Sequence, residues 1–339
     1  MATDVREARD ERVRPPSPLK EVTGMGAVAA RLAASAPAIQ TRDLVKRYGK
    51  HTALDGLTMT VPRGEVFGFL GPNGAGKTTS VKLLLGLARA TSGEGLVLGA
   101  PLGDIQARRR VGYLPELFRY QDWLTAREVL GLHCKLAGIP RAERAREIDA
   151  ALETVGLADR AGDRVGTFSK GMQQRTGLGV ALLGRPELVI LDEPTSALDP
   201  VGRHDVREII RGLRERGTAV FLNSHLLSEV EQVCDRVAVV DHGRVVAMGT
   251  LDSLLGQSIV RLRVTGLDAQ GQALLRRFGP LSTDGPWLVV QGVDADEIPD
   301  IVAEAVRLGG RVHAVEPHRA SLEDLFLRLL GDGEGKEGH

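Results

Sequence analysis

The sequence predicts an α/β fold with a parallel β-sheet, on three observations. Residues 64–70, 187–192 and 218–223 are short, nearly continuous apolar runs of strand length. Segments of helical periodicity lie between them. The first run ends in a glycine-rich loop that opens a helix. Strands buried on both faces read as continuous apolar runs, and they occur where helices cover both sides of a parallel sheet.

Taken in order, residues 1–38 stand apart. Charges mix with Pro15, Pro16 and Pro18, and Ala and Gly dominate the stretch after them, with some helical character at 28–36. Too few large apolar residues are present to anchor a core, so a disordered extension is expected. Asp4, Glu7, Asp10 and Glu11 stand where a secretory signal needs basic and then apolar residues. The strand at 64–70 leads through the glycine-rich loop to a helix read at 81–88. Residues 141–155 have helical periodicity with many charges and belong to a helical insertion. Strands at 187–192 and 218–223 come next. Residues 236–248 hold two strand candidates around the turn Asp241, His242, Gly243.

From 256 to 330 the pattern becomes that of a small accessory α+β domain. Strands are expected at 258–265, 287–291 and 311–316, and helices at 268–278 and 297–308. Ser321 and Asp324 form a loose capping box for a last helix ending at Leu330. Residues 331–339 read as a flexible, charged, glycine-rich tail. No motif repeats, so one catalytic core is expected, running from 39 to 255.

Composition narrows the function classes. The chain has 339 residues, which at about 150 per domain suggests two domains. Forty-four Lys and Arg offset forty-four Asp and Glu, so the basic balance usual for a nucleic-acid binder is missing. No stretch approaches the length of apolar residues that a spanning helix needs. The two cysteines, Cys134 and Cys234, make neither a disulfide framework nor a metal spacing, and are expected to be reduced and buried in a cytosolic protein.

The chemistry concentrates in two places. Gly71, Pro72, Asn73, Gly74, Ala75, Gly76, Lys77, Thr78 and Thr79 match G-x-x-x-x-G-K-[ST] between a strand and a helix, the context the motif requires. A chance match in a chain of this composition is on the order of one in a hundred. Glycines let backbone N–H groups wrap a phosphate chain, and the helix adds its positive dipole end. Lys77 would reach the β- and γ-phosphates and the Thr78 hydroxyl would bind Mg²⁺. The run 188–192 ends in Asp192, placed to reach that Mg²⁺. Glu193 comes directly after it, where a carboxylate can polarise an attacking water. Two acids after an apolar strand also suit a helix N-cap, and only the phosphate loop upstream makes them a sign of nucleotide hydrolysis.

With these residues in hand, the sequence resembles the ATP-binding subunits of ABC transporters from about 39 to 255. Tyr48 matches the aromatic that stacks on adenine. Residues 168–175, Phe-Ser-Lys-Gly-Met-Gln-Gln-Arg, match the signature loop, 196–199 the D-loop, and His225 the switch histidine. The resemblance implies a P-loop NTPase (RecA-like) core with an antiparallel β subdomain and a helical subdomain. It implies a homodimer of ATPase subunits facing head to tail. Ser169, Lys170, Gly171, Met172 and Gln173 would then lie at the ATP of the partner chain, with Ser169 and Gly171 on its γ-phosphate, and Asp199 would link the two sites. His225 would act with Glu193 in catalysis. ATP and Mg²⁺ are the implied cofactors. A polytopic membrane permease is the implied partner, and it would hold the chain on the cytoplasmic face of the cell membrane.

Two departures resemble those of a bacterial exporter branch whose ATPase and permease are separate chains. The signature reads Ser-Lys-Gly-Met where Ser-Gly-Gly-Gln is usual, and Glu116 stands where a Gln would offer its amide to Mg²⁺ and water. The aromatics Phe118, Tyr120 and Trp123 suit either the core of the helical subdomain or a groove for the permease's coupling helix. His51, His133, His204, His242, His313, His318 and His339 have no ligand spacing and read as structural or exposed. The contrasting class is a soluble ABC ATPase that acts on ribosomes or nucleic acid. Those chains usually carry two ATPase domains or a long coiled-coil insertion, and this sequence has neither.

Overall fold

The computed structural model describes residues 36–331 other than 197, 256–258, 294 and 319–320. The expected N-terminal extension and C-terminal tail, Ala197 of the D-loop and Ser258 at the start of a predicted strand therefore lie outside the described residues. Every described helix and strand lies between Ile39 and Gly331.

The elements run β1 (Ile39–Tyr48), β2 (His51–Val61), β3 (Val66–Leu70), α1 (Lys77–Leu84), β4 (Ser92–Val97), β5 (Ala100–Pro101), α2 (Ile105–Arg108) and β6 (Val111–Leu114). A helical stretch comes next, with α3 (Ala126–Leu136), α4 (Arg141–Thr154) and α5 (Lys170–Ala181). The chain then alternates through β7 (Leu188–Asp192), α6 (Pro200–Glu215), β8 (Ala219–Asn223), α7 (Leu227–Val233), β9 (Arg236–Asp241), β10 (Arg244–Thr250) and α8 (Leu251–Leu255). It ends with β11 (Ile259–Thr265), α9 (Ala269–Leu275), β12 (Leu281–Asp284), β13 (Trp287–Gln291), α10 (Ile298–Arg307), β14 (Arg311–His318) and α11 (Leu322–Gly331).

The central sheet has the order β10-β9-β3-β8-β7-β6, parallel except for the edge strand β10. Every residue of β3, β7 and β8 is buried, as continuous apolar runs require. Their two-residue period sorts side chains between two cores. Val66, Val189, Leu191 and Val220 face α3–α7, whereas Phe67, Phe69, Ile190 and Phe221 face α1 and a second sheet. On that second face Phe221 packs 5.1 Å from Phe69 and 6.1 Å from Phe67, between ring centroids.

The second sheet, β2-β1-β4-β5, is antiparallel and matches the β subdomain that the resemblance implied. The helix after the glycine-rich loop is shorter than the sequence suggested. It stops at Leu84 rather than Ala88, because Gly86 takes a left-handed backbone and the N–H groups of Leu87 and Ala88 turn back to the Lys82 carbonyl.

Strands β11–β14 form a third antiparallel sheet, β12-β13-β11-β14, with α9 and α10 packed on one face around Leu262, Val290 and Ile301. The order of elements is a split β-α-β-β-α-β unit. Strand β12 has a single apolar residue, Leu281, and is not expected from the sequence. Helix α11 leaves this unit and packs on the helical side of the central sheet through Leu322, Leu325 and Leu329. The Leu322 N–H donates to the Glu231 carboxylate on α7, and Ser321 and Asp324 exchange the two bonds of the expected capping box. No described helix is long and apolar enough to cross a membrane.

Candidate active site

The glycine-rich loop, Asp192 and Asn223 sit at the C-terminal ends of β3, β7 and β8, where open α/β sheets form their ligand crevices. Two glycines of the loop are required by close approach. A Cβ on Gly71 would lie 2.3 Å from the Val240 carbonyl oxygen. One on Gly76, which caps α1 at φ 98°, would lie 2.5 Å from the Ala53 carbonyl oxygen. The tip of the β9–β10 hairpin braces the same loop: the Gly243 N–H donates to the Ala75 carbonyl, and the Gly243 carbonyl accepts from Asp55 N–H.

Lys77 is folded over its own loop, with Nζ donating to the Gly71 carbonyl at 2.6 Å and the Pro72 carbonyl at 3.1 Å. Burial lowers its pKa, and the charges of Glu193, Asp192 and Glu116 pull it back up. Asp192 is raised from its ordinary value, first by burial and then by the charges of Glu116 and Glu193. The Asn223 hydrogen bond and the Lys77 ammonium oppose that rise. The charges of Glu116 and Glu193 thus act on both Lys77 and Asp192.

Glu193 is buried and takes a left-handed backbone at φ 52°, a conformation that costs a non-glycine residue free energy and that surrounding bonds must hold. Its N–H donates to the Asn223 carbonyl at 2.8 Å, and its own carbonyl accepts from Ser196 N–H and Oγ. Its Oε2 lies 2.7 Å from His225 Nδ1 and accepts from the His225 backbone N–H at 3.4 Å. The two residues read as catalytic are therefore in contact. Thr78 lies exposed in the first turn of α1, and Glu116 lies exposed in the loop after β6. Tyr48 ends β1 with 47% of its surface exposed and the Lys46 ammonium 4.7 Å from its ring centroid.

The signature residues occupy another place. Ser169 caps α5, its Oγ accepting from Met172 N–H at 3.2 Å, and Ser169 and Lys170 are exposed. Met172, where an amide is usual, packs against the helical core. Gln173 also turns inward, donating to the Val165 and Phe168 carbonyls. Asp199 caps α6 by accepting from Gly202 N–H at 2.7 Å. Among the described residues no hydrogen bond or ion pair joins Ser169, Gly171 or Asp199 to the phosphate loop. Phe118 and Tyr120 are part of the helical core, with rings 5.3 Å apart, while Trp123 is 69% exposed. These three line a groove of about 320 Å³ with Val165 and Gln173. Cys134 and Cys234 are free and buried.

Sequence reasoning missed Asn223, which is 2% exposed and donates from Nδ2 to Asp192 Oδ1 at 2.5 Å. The signal was the polar residue ending an otherwise apolar strand. Its meaning depended on the parallel register that sets it beside Asp192.

Residues 54–196 match the family model described as ABC transporter. The chain is 43% identical over 303 residues to an uncharacterized ABC transporter ATP-binding protein of Nostoc sp., covering 86% of this chain and 89% of that protein. It is 42% identical over 319 residues to the bacitracin transport ATP-binding protein BcrA of Bacillus licheniformis, covering 87% and 98%. It is 37% identical over 308 residues to the daunorubicin/doxorubicin resistance ATP-binding protein DrrA of Streptomyces peucetius, covering 87% and 92%. Among solved structures, an ATP-binding subunit of an ABC transporter superposes with a TM-score of 0.58 at 34% identity, covering 64% of this chain and 91% of that one.

Proposed function

The chain belongs to the ATP-binding subunits of ABC transporters, and from that premise we propose that it hydrolyses ATP to drive export through a separate membrane permease. The single observation that carries the hydrolytic part is the Glu193–His225 contact, with Lys77 and Asp192 close enough to shape each other's titration. Relatives named for bacitracin transport and for daunorubicin/doxorubicin resistance support the direction of transport.

In this reading Gly71–Thr79 backbone N–H groups and Lys77 hold the phosphates, and Tyr48 stacks on the base. Glu193 takes the proton of the attacking water, and His225 fixes its carboxylate. A buried, strained carboxylate held on both its backbone and its side chain is pre-oriented for that role. The residues present also fit Mg²⁺. The donors are hard oxygens, from the Thr78 hydroxyl and the carboxylates of Asp192 and Glu116, and Mg²⁺ is usually held by one or two carboxylates with substrate phosphates. A bound Mg²⁺ would neutralise charge developing on the phosphates.

Two copies would face head to tail. Ser169 and Gly171 are presented at the exposed N-terminus of α5, where backbone N–H groups and the helix dipole favour a phosphate. A Cβ at Gly171 would meet only the Ser169 hydroxyl, so the approach to that turn is open. Asp199 would connect the two sites through the start of α6. The groove beside Trp123 is the docking place for a permease helix, and the accessory unit β11–β14 stabilises the dimer.

The test is ATPase activity of the chain alone and in complex with its transmembrane subunit. Trp123→Ala should leave the solitary rate unchanged and remove the stimulation. Stimulation equal to wild type would place the permease elsewhere.

A further inference from the structure

The side-chain amide of Asn223 is enclosed at the end of β8, and its two ends meet different surroundings. One end lies 2.5 Å from Asp192 Oδ1. An ionised carboxylate accepts hydrogen bonds and cannot donate, so the end facing it is Nδ2. Oδ1 of Asn223 is therefore the other end, and it is buried without a hydrogen-bond partner. Buried polar atoms are paired in the great majority of cases, and an exception calls for an unrecorded water or ion. Because Oδ1 accepts only, what completes it is a donor or a cation.

The second oxygen of Asp192 supplies the context. Oδ2 makes no hydrogen bond among the described residues, because Asn223 engages Oδ1. The pair therefore presents one free carboxylate oxygen and one free amide oxygen at the same strand ends. We infer that Asn223 is a positioning residue for the divalent cation: its amide nitrogen fixes the rotation of Asp192, and its orphaned carbonyl accepts a hydrogen bond from water in the metal's shell. This rests on Asp192 being a metal ligand. Partners in this position orient the ligand they touch, and their loss typically weakens metal binding by about 10–100-fold.

Asn223 also holds Glu193, but through its backbone carbonyl. Substituting the side chain leaves that bond in place, so the two roles separate experimentally. The probe is Mn²⁺ with a fluorescent, non-hydrolysable ATP analogue on the full chain. The readout is the Mn²⁺ concentration at which tightening of analogue binding is half complete. Asn223→Leu keeps the bulk and removes both polar ends, and Asn223→Ser provides a second variant should Leu fold poorly. Both should raise that concentration about 10–100-fold, with affinity for the metal-free analogue close to wild type. Asp192→Asn is the control. If it weakens the Mn²⁺ effect while both Asn223 variants respond as wild type, the inference is overturned and Asp192 stands. A parallel loss of metal-free binding in the Asn223 variants would make Asn223 a packing residue and overturn it too. A wild-type response in Asp192→Asn would remove the ligand reading itself, and the inference with it.

Discussion

Tyr48 is almost half exposed, with the Lys46 ammonium beside its ring. An exposed aromatic ring can stack on a base, and base–aromatic stacking contributes about 1–3 kcal/mol. Tyr48→Ala should therefore raise the ATP dissociation constant roughly 5- to 150-fold, and Phe or Trp should restore it. Tight binding by the alanine variant would mean adenine is held elsewhere. Glu116 is the other residue whose type matters. It is exposed, yet its charge acts on both Lys77 and Asp192. A Gln there would keep an oxygen for a metal and add an amide donor, so Glu116→Gln should retain ATP binding but move the Mg²⁺ dependence of hydrolysis. An unchanged Mg²⁺ titration would take Glu116 out of the site.

Among the elements, the far end of the central sheet is tied by one carboxylate. Glu187, at the start of β7, accepts from Arg110 before β6 and from Arg63 after β2. The Arg110 bond does most to hold its pKa below the ordinary value of about 4.5, with Arg63 adding to it. A carboxylate with a lowered folded-state pKa contributes stability above its unfolded pKa and loses it as pH falls through the folded value. Glu187→Gln should melt below wild type at neutral pH, and the gap should shrink below about pH 4.5. A gap independent of pH would assign the effect to packing. Strands β3, β7 and β8 were legible because a strand buried on both faces must be apolar throughout. The antiparallel strands β1, β2 and β4 were not legible from residues, since they mix polar positions with bulges such as that between Thr41 and Leu44. Strand β12 was invisible because three of its four residues are exposed. The phosphate loop, Asp192 and Glu193 were legible by type and order, and His225 only through the family resemblance. The inward turns of Met172 and Gln173 were not, because the side a helix residue faces is set by its tertiary neighbours.

On the scale of the molecule, α11 joins the C-terminal segment to the ATPase core. Leu322 is 1% exposed within that core, so Leu322→Ala should cost about 2–5 kcal/mol in denaturant unfolding of the full chain. A change under about 0.5 kcal/mol would show that the helix is not docked in solution. We propose that a single chain holds the hydrolytic carboxylate while its signature residues serve the ATP of a second copy. The most direct measurement is ATP turnover of Glu193→Gln against wild type, with ATP binding and oligomeric state followed on the same samples. The substitution keeps shape and removes the base, so turnover should fall about 10²–10⁴-fold, ATP binding should persist, and an ATP-bound dimer should accumulate. Equal turnover in the two proteins would contradict the assignment of Glu193 and the account built on it.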